Sequence, residues 1–192
     1  MGTISQPKPV KLIVGMISAS PELFGMAQDK LKEKFGEVDF ISPILPFDAT
    51  DYYCEEMGTG LQRMFISFEK LIDPCELADI KIFTNLLEED FSLNNEASLN
   101  EVSLYKASLP KRRINLDPGY ISLSKLVLAT TKDHQHRIYL RDGIYAEVTL
   151  RFRAKRFQTW EWTYPDYKTQ AYLEIFGHIR KLYVEQLKNN MR

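Results

Sequence analysis

Apolar residues recur along the first part of the chain with the spacing of a strand, then of a helix. Lys11 to Ile17 is a short run of β-forming apolar residues and predicts a strand. A helix is predicted after it, because Ser20-Pro21 is a typical helix start and Gly36 a typical helix end. The apolar stripe of this helix consists of Leu23, Ala27, Leu31 and Phe35. Val38 to Leu45 then predicts a second strand.

The same order of elements follows a second time. Leu61 to Ile72 predicts a strand, and Asp73-Pro74-Cys75-Glu76 has the pattern of a capping box at the start of a helix. The apolar stripe of this second helix consists of Leu77, Ile80, Thr84, Leu87 and Phe91. The polar segment Leu93 to Lys111 (93–111) is rich in Asn and Ser and predicts a mobile connection.

A short strand at Ile114 to Leu116 completes a βαββαβ order. This order predicts an α+β protein whose residues 11–121 form a ferredoxin-like βαββαβ sandwich, with two helices on one face of an antiparallel sheet. The alternative is an α/β doubly wound sheet. Residues 122–192 are expected to form a β-hairpin and a C-terminal helix that extend this core.

The extension begins with Ser122 to Thr131, which we interpret as a short helix. A hairpin follows, in which a three-residue loop at Arg141 to Gly143 places Ile138 and Leu140 on one core-facing side. The same register sets Arg137 opposite Glu147 as an ion pair and Tyr139 opposite Tyr145. Thr169 is expected to cap the last helix, whose apolar side includes Phe176, Ile179 and Tyr183.

Composition narrows the class of protein. The chain has 192 residues, 44% of them hydrophobic, which is enough for one domain with a real core over residues 1–192. The apolar runs are strand-sized, so no membrane span is expected, and the N-terminus lacks the apolar region of a secretion signal. Cys54 and Cys75 form no CxxC motif and suit a reducing compartment. These features predict a cytoplasmic protein.

Charge is distributed unevenly, although the net charge is −1. Glu37 to Glu101 contains 15 acidic and 3 basic residues, a net charge of −12, and Lys106 to Arg156 contains 12 basic and 4 acidic residues, a net charge of +8. We favour the interpretation that the two stretches attract each other within the fold or in an oligomer. The alternative is a basic surface for phosphate-bearing ligands beside an acidic surface that holds a cation.

Several sequence motifs for nucleotide or metal chemistry are absent. The chain has no GxxxxGK[ST] phosphate loop (no P-loop), no GxGxxG after the first strand, and no HExxH, GxSxG or EF-hand pattern. Three histidines and two separate cysteines do not predict a zinc site of the usual Cys/His kind.

Two segments supply candidate metal ligands. The acidic segment around Asp48 and Asp51 carries carboxylates of the type that Mg²⁺ prefers, although four acids in a loop are more often solvated. Asp117 lies in a polar–aromatic turn with Asn115, and such loops commonly line ligand sites. Mg²⁺ is therefore a candidate cofactor, with Asp48, Asp51 and Asp117 as its ligands.

The remaining candidates lie around the hairpin. His136 is the best candidate for acid–base catalysis, although a buried histidine in a strand is more often structural. Arg137 and Arg151 are candidate contacts to a phosphate or carboxylate, since guanidinium fits both in a bidentate fork. Tyr52 and Tyr139 complete the predicted ligand-binding set.

Several phrases together resemble the domain of unknown function 4416 family. The phrases are Phe47 to Tyr53, Phe68 to Pro74, Asn115 to Tyr120, Lys125 to Asp133, His136 to Leu140, Asp142 to Leu150 and Trp162 to Tyr167. The resemblance runs from about Lys11 to the last helix. It implies no assigned activity, although some members are labelled GTP-binding. Thr131-Lys132-Asp133 is one residue shorter than the TKxD motif that recognises guanine, so this sequence does not support that label.

These observations lead to one main hypothesis and two alternatives. We expect a small anionic ligand, which can carry phosphate and bind together with Mg²⁺, in a cleft between residues 48–56 and the basic hairpin. The second hypothesis is a non-catalytic assembly module that self-associates through its polarised charge. RNA binding is third, because Glu147 stands where an aromatic residue would stack on a base and would repel phosphate.

Overall fold

The computed structural model describes residues 2–48, 50, 53–98 and 112–189, and of residues 93–98 the backbone alone. The strands in these ranges are β1 (Val10–Ser18), β2 (Val38–Ile41), β3 (Leu45–Pro46), β4 (Gln62–Ile72), β5 (Asn115–Ile121), β6 (Lys125–Thr130), β7 (Ile138–Arg141), β8 (Ile144–Arg153) and β9 (Arg156–Thr159). The helices are α1 (Pro21–Phe35), α2 (Cys54–Met57), α3 (Leu77–Ser98) and α4 (Gln170–Asn189). Most of the predicted mobile connection at 93–111 lies outside the described residues.

One sheet organises these elements. Its strand order is β2-β4-β1-β5-β6-β8-β7, with β3 paired to β4 and β9 paired to β8. All the ladders between the described strands are antiparallel. The α+β class is thereby confirmed. The doubly wound alternative is wrong, because that fold is built on a mostly parallel sheet.

The two predicted helix starts in the first half are confirmed. Pro21 occupies the first turn of α1, and Gly36 ends this helix with a φ of 95°, a conformation that glycine adopts without strain. Before α3, the side chain of Asp73 accepts a hydrogen bond from the backbone N–H of Cys75, and Glu76 bonds back to the N–H of Asp73. This capping box leads through one 3-10 turn into α3.

Strand β1 separates two apolar cores, because successive side chains of a strand point to opposite faces. Leu12, Val14 and Met16 pack with residues of α1 and α3 on one face. Ile13 packs on the other face with Phe65 and residues of α4. The sheet is therefore the middle layer, with α1 and α3 on one face and α4 on the other. The nine residues of β1 are all buried.

Strand β6 corrects one prediction. The segment interpreted as a short helix, Ser122 to Thr131, contains a strand that pairs with β5 and β8. The run from Leu126 to Ala129 is continuously apolar because both of its faces are buried. Periodicity alone does not separate such a run from a buried helix.

The hairpin β7–β8 has the predicted pairs Ile138–Ala146 and Tyr139–Tyr145, but its turn is different. Arg141 pairs with Ile144 across a two-residue turn at Asp142 and Gly143, whose φ values are 51° and 75°, and the irregular residue is Leu140. The predicted core face is also wrong, since Ile138 is 71% exposed and Leu140 40% exposed. Strand β7 lies at the edge of the sheet, beyond the part of β8 that packs with α3.

The last helix is confirmed. The hydroxyl of Thr169 accepts a hydrogen bond from the backbone N–H of Tyr172 at the start of α4. The buried side of α4 includes Phe176, Ile179 and Tyr183, which pack against the sheet or the chain before β1. Within the described ranges, no helix combines the length and the apolar composition needed to cross a bilayer.

Candidate functional site

A cavity of about 930 Å³ opens at the end of the sheet where β1 and β6 finish and β4 and β5 begin. We call it the site cavity. Its described lining contains six carboxylate residues and five cationic residues, together with tyrosines and amides. Its principal polar residues are Arg63, Lys81, Glu88, Asn115, Asp117, Arg137, Glu147, Tyr164 and Asp166. A ligand here meets many fixed hydrogen-bonding groups.

Arg63 of β4 lies at the floor of the site cavity and is only 2% exposed. Its Nη1 donates to Oδ2 of Asp117 over 2.9 Å, and its Nη2 donates to Oδ2 of Asp166 over 3.2 Å. Gly15 of β1 leaves room for this guanidinium, since a Cβ there would lie 2.8 Å from Nη1. The charge of Arg63 is thus neutralised inside the protein by two carboxylates.

A polar stripe of α3 forms a second wall. Lys81, Asn85 and Glu88 recur at the three- and four-residue spacing that places side chains on one helix face. The Nζ of Lys81 donates to the carbonyl of Leu116 over 2.8 Å, and Oε1 of Glu88 accepts from the N–H of Leu116 over 2.6 Å. The stripe is therefore fastened to the beginning of β5.

Arg112 connects the polar stripe of α3 to α2. Its guanidinium lies 2.5 Å from a carboxylate oxygen of Glu88 and 3.6 Å from one of Glu56. It also donates to the amide oxygen of Asn115. These contacts join α2, α3 and β5 around one side of the site cavity.

The third wall is a network around Glu147 of β8, which is 2% exposed. Glu147 accepts from Nε of Arg137 over 2.9 Å and from the hydroxyl of Tyr164 over 3.4 Å. Arg137 also donates through Nη2 to Tyr164 over 2.5 Å and through Nη1 to the carbonyl of Lys132. The ion pair predicted between Arg137 and Glu147 is confirmed.

The carboxyl groups of the site cavity differ in their affinity for protons. Burial alone would raise the pKa of Asp117, but the charges of Arg63 and Lys81 outweigh it and hold this pKa below its ordinary value. Burial raises the pKa of Glu88 and that of Asp166, despite the cations beside them. Carboxyl groups whose pKa values are moved apart in one cavity can serve as proton donor and proton acceptor.

The tyrosines of the site cavity remain protonated. Burial is the main cause that raises the pKa of Tyr164, and the charge of Glu147 adds to it. Burial likewise raises the pKa of Tyr53 and, far above the ordinary value, that of Tyr167. These side chains offer hydroxyl groups to a ligand and no negative charge.

His136, the predicted acid–base residue, lies behind the Glu147 wall. Its Nε2 is 3.3 Å from Oε2 of Glu147, and its ring stacks on Trp162 with centroids 5.4 Å apart. It is not among the residues that line the site cavity. Its catalytic role stays a prediction, and the structure gives it contacts that hold Glu147.

The structure brings three predicted ligand or metal residues together, Asn115, Asp117 and Arg137, which all line the site cavity. Two others lie elsewhere. The guanidinium of Arg151 lies 4.5 Å from the ring centroid of Trp160, and Tyr139 is exposed beside Tyr145 on the edge hairpin. Neither of them lines the site cavity.

The predicted magnesium ligands are only partly described. Asp48 is exposed, Asp117 is paired with Arg63, and Asp51 lies outside the described residues, as does the predicted ligand residue Tyr52. Among the residues that are described, no group of three or more His, Cys, Asp or Glu side chains could hold a metal ion. The magnesium site stays a prediction.

Sequence analysis missed Arg63, Lys81, Glu88 and Tyr164. Lys81 and Glu88 could have been found from the sequence, because they lie seven residues apart and so on one face of the predicted helix, next to its apolar stripe. Arg63 carried a weaker signal, as a lone cation in an alternating apolar strand. Nothing in the local sequence indicated that Tyr164 would lie beside Arg137, since 27 residues separate them.

Comparison with known proteins assigns the chain to a family. A family model described as Domain of unknown function (DUF4416) matches residues 8–183, which is nearly the whole chain. The predicted family resemblance is thereby confirmed. No match was found among curated proteins or among solved structures.

Proposed function

The chain belongs to the DUF4416 family, and we propose that its site cavity binds a small polar ligand carrying a phosphate or carboxylate group. The observation that carries this proposal is the buried ammonium group of Lys81, which lacks a full set of hydrogen-bond acceptors in the described part of the chain. The residue is 6% exposed, and among the described groups its ammonium makes one hydrogen bond, to the carbonyl of Leu116. An ammonium has three donors, so two remain to be satisfied inside the site cavity.

Three of the other four cations of the site cavity support Lys81 as the contact to the anion. Arg63, Arg112 and Arg137 each lie within 4.0 Å of a carboxylate, whereas in the described part of the chain Lys81 does not. The Nε of Arg112 is buried and has no acceptor among the described groups. We therefore assign the anion to Lys81 and Arg112, and not to Arg151, which lies outside the site cavity.

The carboxylates of the lining restrict what else the ligand contains. Asp117 and Glu88 repel a second anionic group and accept hydrogen bonds from hydroxyl or amino groups. Tyr53 and Tyr164 supply ring surface and hydroxyls beside them. A phosphorylated or carboxylated compound with several hydroxyl groups fits this combination.

A thermal-shift screen tests the proposal. The probes are inorganic phosphate, ribose 5-phosphate, AMP, GTP and citrate, each with and without Mg²⁺. A ligand present at a hundred times its Kd adds about 2.7 kcal/mol to the free energy of unfolding, which is easily detected. We expect at least one probe to raise the Tm of the wild-type protein and to lose this effect in Lys81→Met, which removes the charge and keeps the length of the side chain.

The matched control is Lys181→Met. It removes one positive charge from the exposed face of α4, where Lys181 lines no part of the site cavity, and should leave the shift unchanged. Equal shifts in Lys81→Met and wild type would contradict the assignment of Lys81. No shift with any probe in a folded sample would favour the assembly module instead.

For residues 11–121 we propose the ferredoxin-like arrangement. The order β2-β4-β1-β5, with α1 and α3 packed on the same core, supports it. We also propose that the protein works in the cytoplasm, because Cys54 and Cys75, the two cysteines of the chain, are not joined in a disulfide. A magnesium ion would enter with the ligand rather than bind to the described carboxylates alone.

A further inference from the structure

A group of cations lies at the far end of β6, β8 and β9, away from the site cavity. We call it the basic surface, and it consists of Lys125, Arg151, Arg153, Lys155 and Arg156. None of the five lines the site cavity. Within the described part of the chain, none of them has a carboxylate within 4.0 Å of its charged nitrogen atoms.

The strand register places these cations directly opposite one another. Lys125 of β6 pairs with Arg151 of β8, and Arg153 of β8 pairs with Arg156 of β9. Like charges at directly opposed positions destabilise a sheet. Arg151 and Arg153 are two residues apart and so about 7 Å apart along the strand, on the same face. The repulsion is therefore built into three adjacent strands.

The turn that joins β8 to β9 is strained as well. Ala154 and Lys155 have φ values of 51° and 61°, a left-handed conformation that costs a residue with a Cβ about 1–2 kcal/mol. Glycine and asparagine are the usual residues at such positions. This end of the hairpin therefore combines opposed like charges with a strained turn. Such locally unfavourable features are typical of functional sites.

An aromatic column adjoins the basic surface. The guanidinium of Arg151 lies over Trp160, the rings of Trp160 and Trp162 stack at 5.1 Å with an interplanar angle of 8°, and Trp162 stacks on His136. These contacts fix the direction of Arg151. Cations next to aromatic surface are the combination with which proteins hold single-stranded nucleic acids.

We infer that the basic surface binds the sugar–phosphate backbone of single-stranded nucleic acid. A row of phosphates relieves the repulsion between the opposed cations, because each phosphate lies between positive charges. Glu147, which in the sequence argued against such a function, is buried and paired with Arg137, so that it presents no charge to the partner. This inference is independent of the ligand proposed for the site cavity.

Fluorescence anisotropy with a labelled 20-nucleotide oligouridylate tests the inference, in KCl from 50 to 200 mM. The test variant combines Arg153→Gln, Lys155→Gln and Arg156→Gln, three exposed positions at the hairpin end. Each phosphate contact contributes about −0.7 to the slope of log K against log salt, so the loss of three contacts should make the slope about 2 less negative. Over this range of salt the affinity of the wild type then falls about 16-fold more than that of the variant.

The matched control combines Lys30→Gln, Lys70→Gln and Lys188→Gln, which changes the net charge by the same amount at exposed positions elsewhere. It should keep the slope of the wild type. The inference is overturned if the wild type does not bind, if both variants lose the same slope, or if the protein binds phosphatidylserine vesicles and neither RNA nor DNA. An oligodeoxynucleotide of the same length decides between the two nucleic acids.

Discussion

Asp117 and Asp166 share the guanidinium of Arg63, yet their carboxyl groups are driven in opposite directions. The pKa of Asp117 is held below its ordinary value, whereas burial raises that of Asp166. The first carboxylate stabilises the folded state above the pKa that Asp has in the unfolded chain, about 3.9, and loses this contribution as the pH falls. The carboxyl group of Asp166 contributes to the free energy of unfolding at low pH, and this contribution is lost as the pH rises through its raised pKa.

Asp117→Asn and Asp166→Asn should therefore give pH profiles of opposite slope. Breaking a buried ion pair costs about 3–5 kcal/mol, so Asp117→Asn should be strongly destabilising at pH 6, with a difference from wild type that shrinks as the pH approaches 3. The difference between wild type and Asp166→Asn should shrink as the pH rises from 4 to 7. Urea unfolding at each pH measures both, and parallel profiles would contradict the assignment.

Gly15 and Gly25 are both glycines in regular elements, but their surroundings differ. A Cβ on Gly15 would lie 2.8 Å from Nη1 of Arg63 and 2.9 Å from Cε1 of Phe65, whereas a Cβ on Gly25 of α1 would meet nothing within 4 Å. Gly15→Ala should destabilise by about 1–3 kcal/mol through overpacking. Gly25→Ala should stabilise by about 0.5–1 kcal/mol, since glycine is unfavourable in a helix. Urea unfolding compares the two, and equal effects would show that Arg63 can move aside.

At the scale of elements, the turn between β8 and β9 offers a series at one position. Ala154 has a φ of 51°, so Ala154→Gly and Ala154→Asn should each raise the free energy of unfolding, by about 0.5–1 kcal/mol. Ala154→Val should lower it, because a β-branched side chain fits this conformation worst. Chemical denaturation measures the free energies of unfolding, which should be highest with Gly or Asn at this position, intermediate with Ala and lowest with Val. Any other order would mean that the turn is not strained.

The elements also show what local sequence can and cannot predict. Helices α1 and α3 were predictable because Ser20-Pro21, Gly36 and the Asp73 capping box act within a few residues. Strand β6 was not, since its helix-like apolar run depends on burial between β5 and β8. In the site cavity, Asn115 and Asp117 could be named from one turn motif. The walls that they share with Lys81 and Tyr164 are set by tertiary packing, which no local pattern specifies.

At the scale of the whole molecule, the uneven charge of the sequence is partly neutralised inside the fold. Arg112 of the basic stretch pairs with Glu56 and Glu88 of the acidic stretch, and Arg141 pairs with Asp79. These contacts support the interpretation that the two stretches attract each other within one chain. Within the basic stretch, the cations of the basic surface have no carboxylate within 4.0 Å among the described residues, so a binding partner would supply the opposite sign.

The two cores on opposite faces share the strands of one sheet, and this predicts that they unfold together. Phe176 of α4 is fully buried among Phe65, Tyr167 and Tyr172, with ring centroids 5.0, 5.5 and 6.4 Å away. Phe176→Ala should lower the free energy of unfolding by about 3–5 kcal/mol. Phe65 belongs to β4, which also carries residues of the α1–α3 core. The substitution should therefore destabilise the cores on both faces of the sheet.

Two probes measured on the same samples test this coupling. Far-UV circular dichroism follows all the helices, and tryptophan fluorescence follows Trp160 and Trp162, the two tryptophans of the chain, next to β9. We expect the urea transitions from both probes to coincide in wild type and to move together in Phe176→Ala, as for one cooperative unit. If α4 and the hairpins instead unfolded at lower urea than the rest, residues 122–192 would be a separately stable extension, and the single-domain prediction would be wrong.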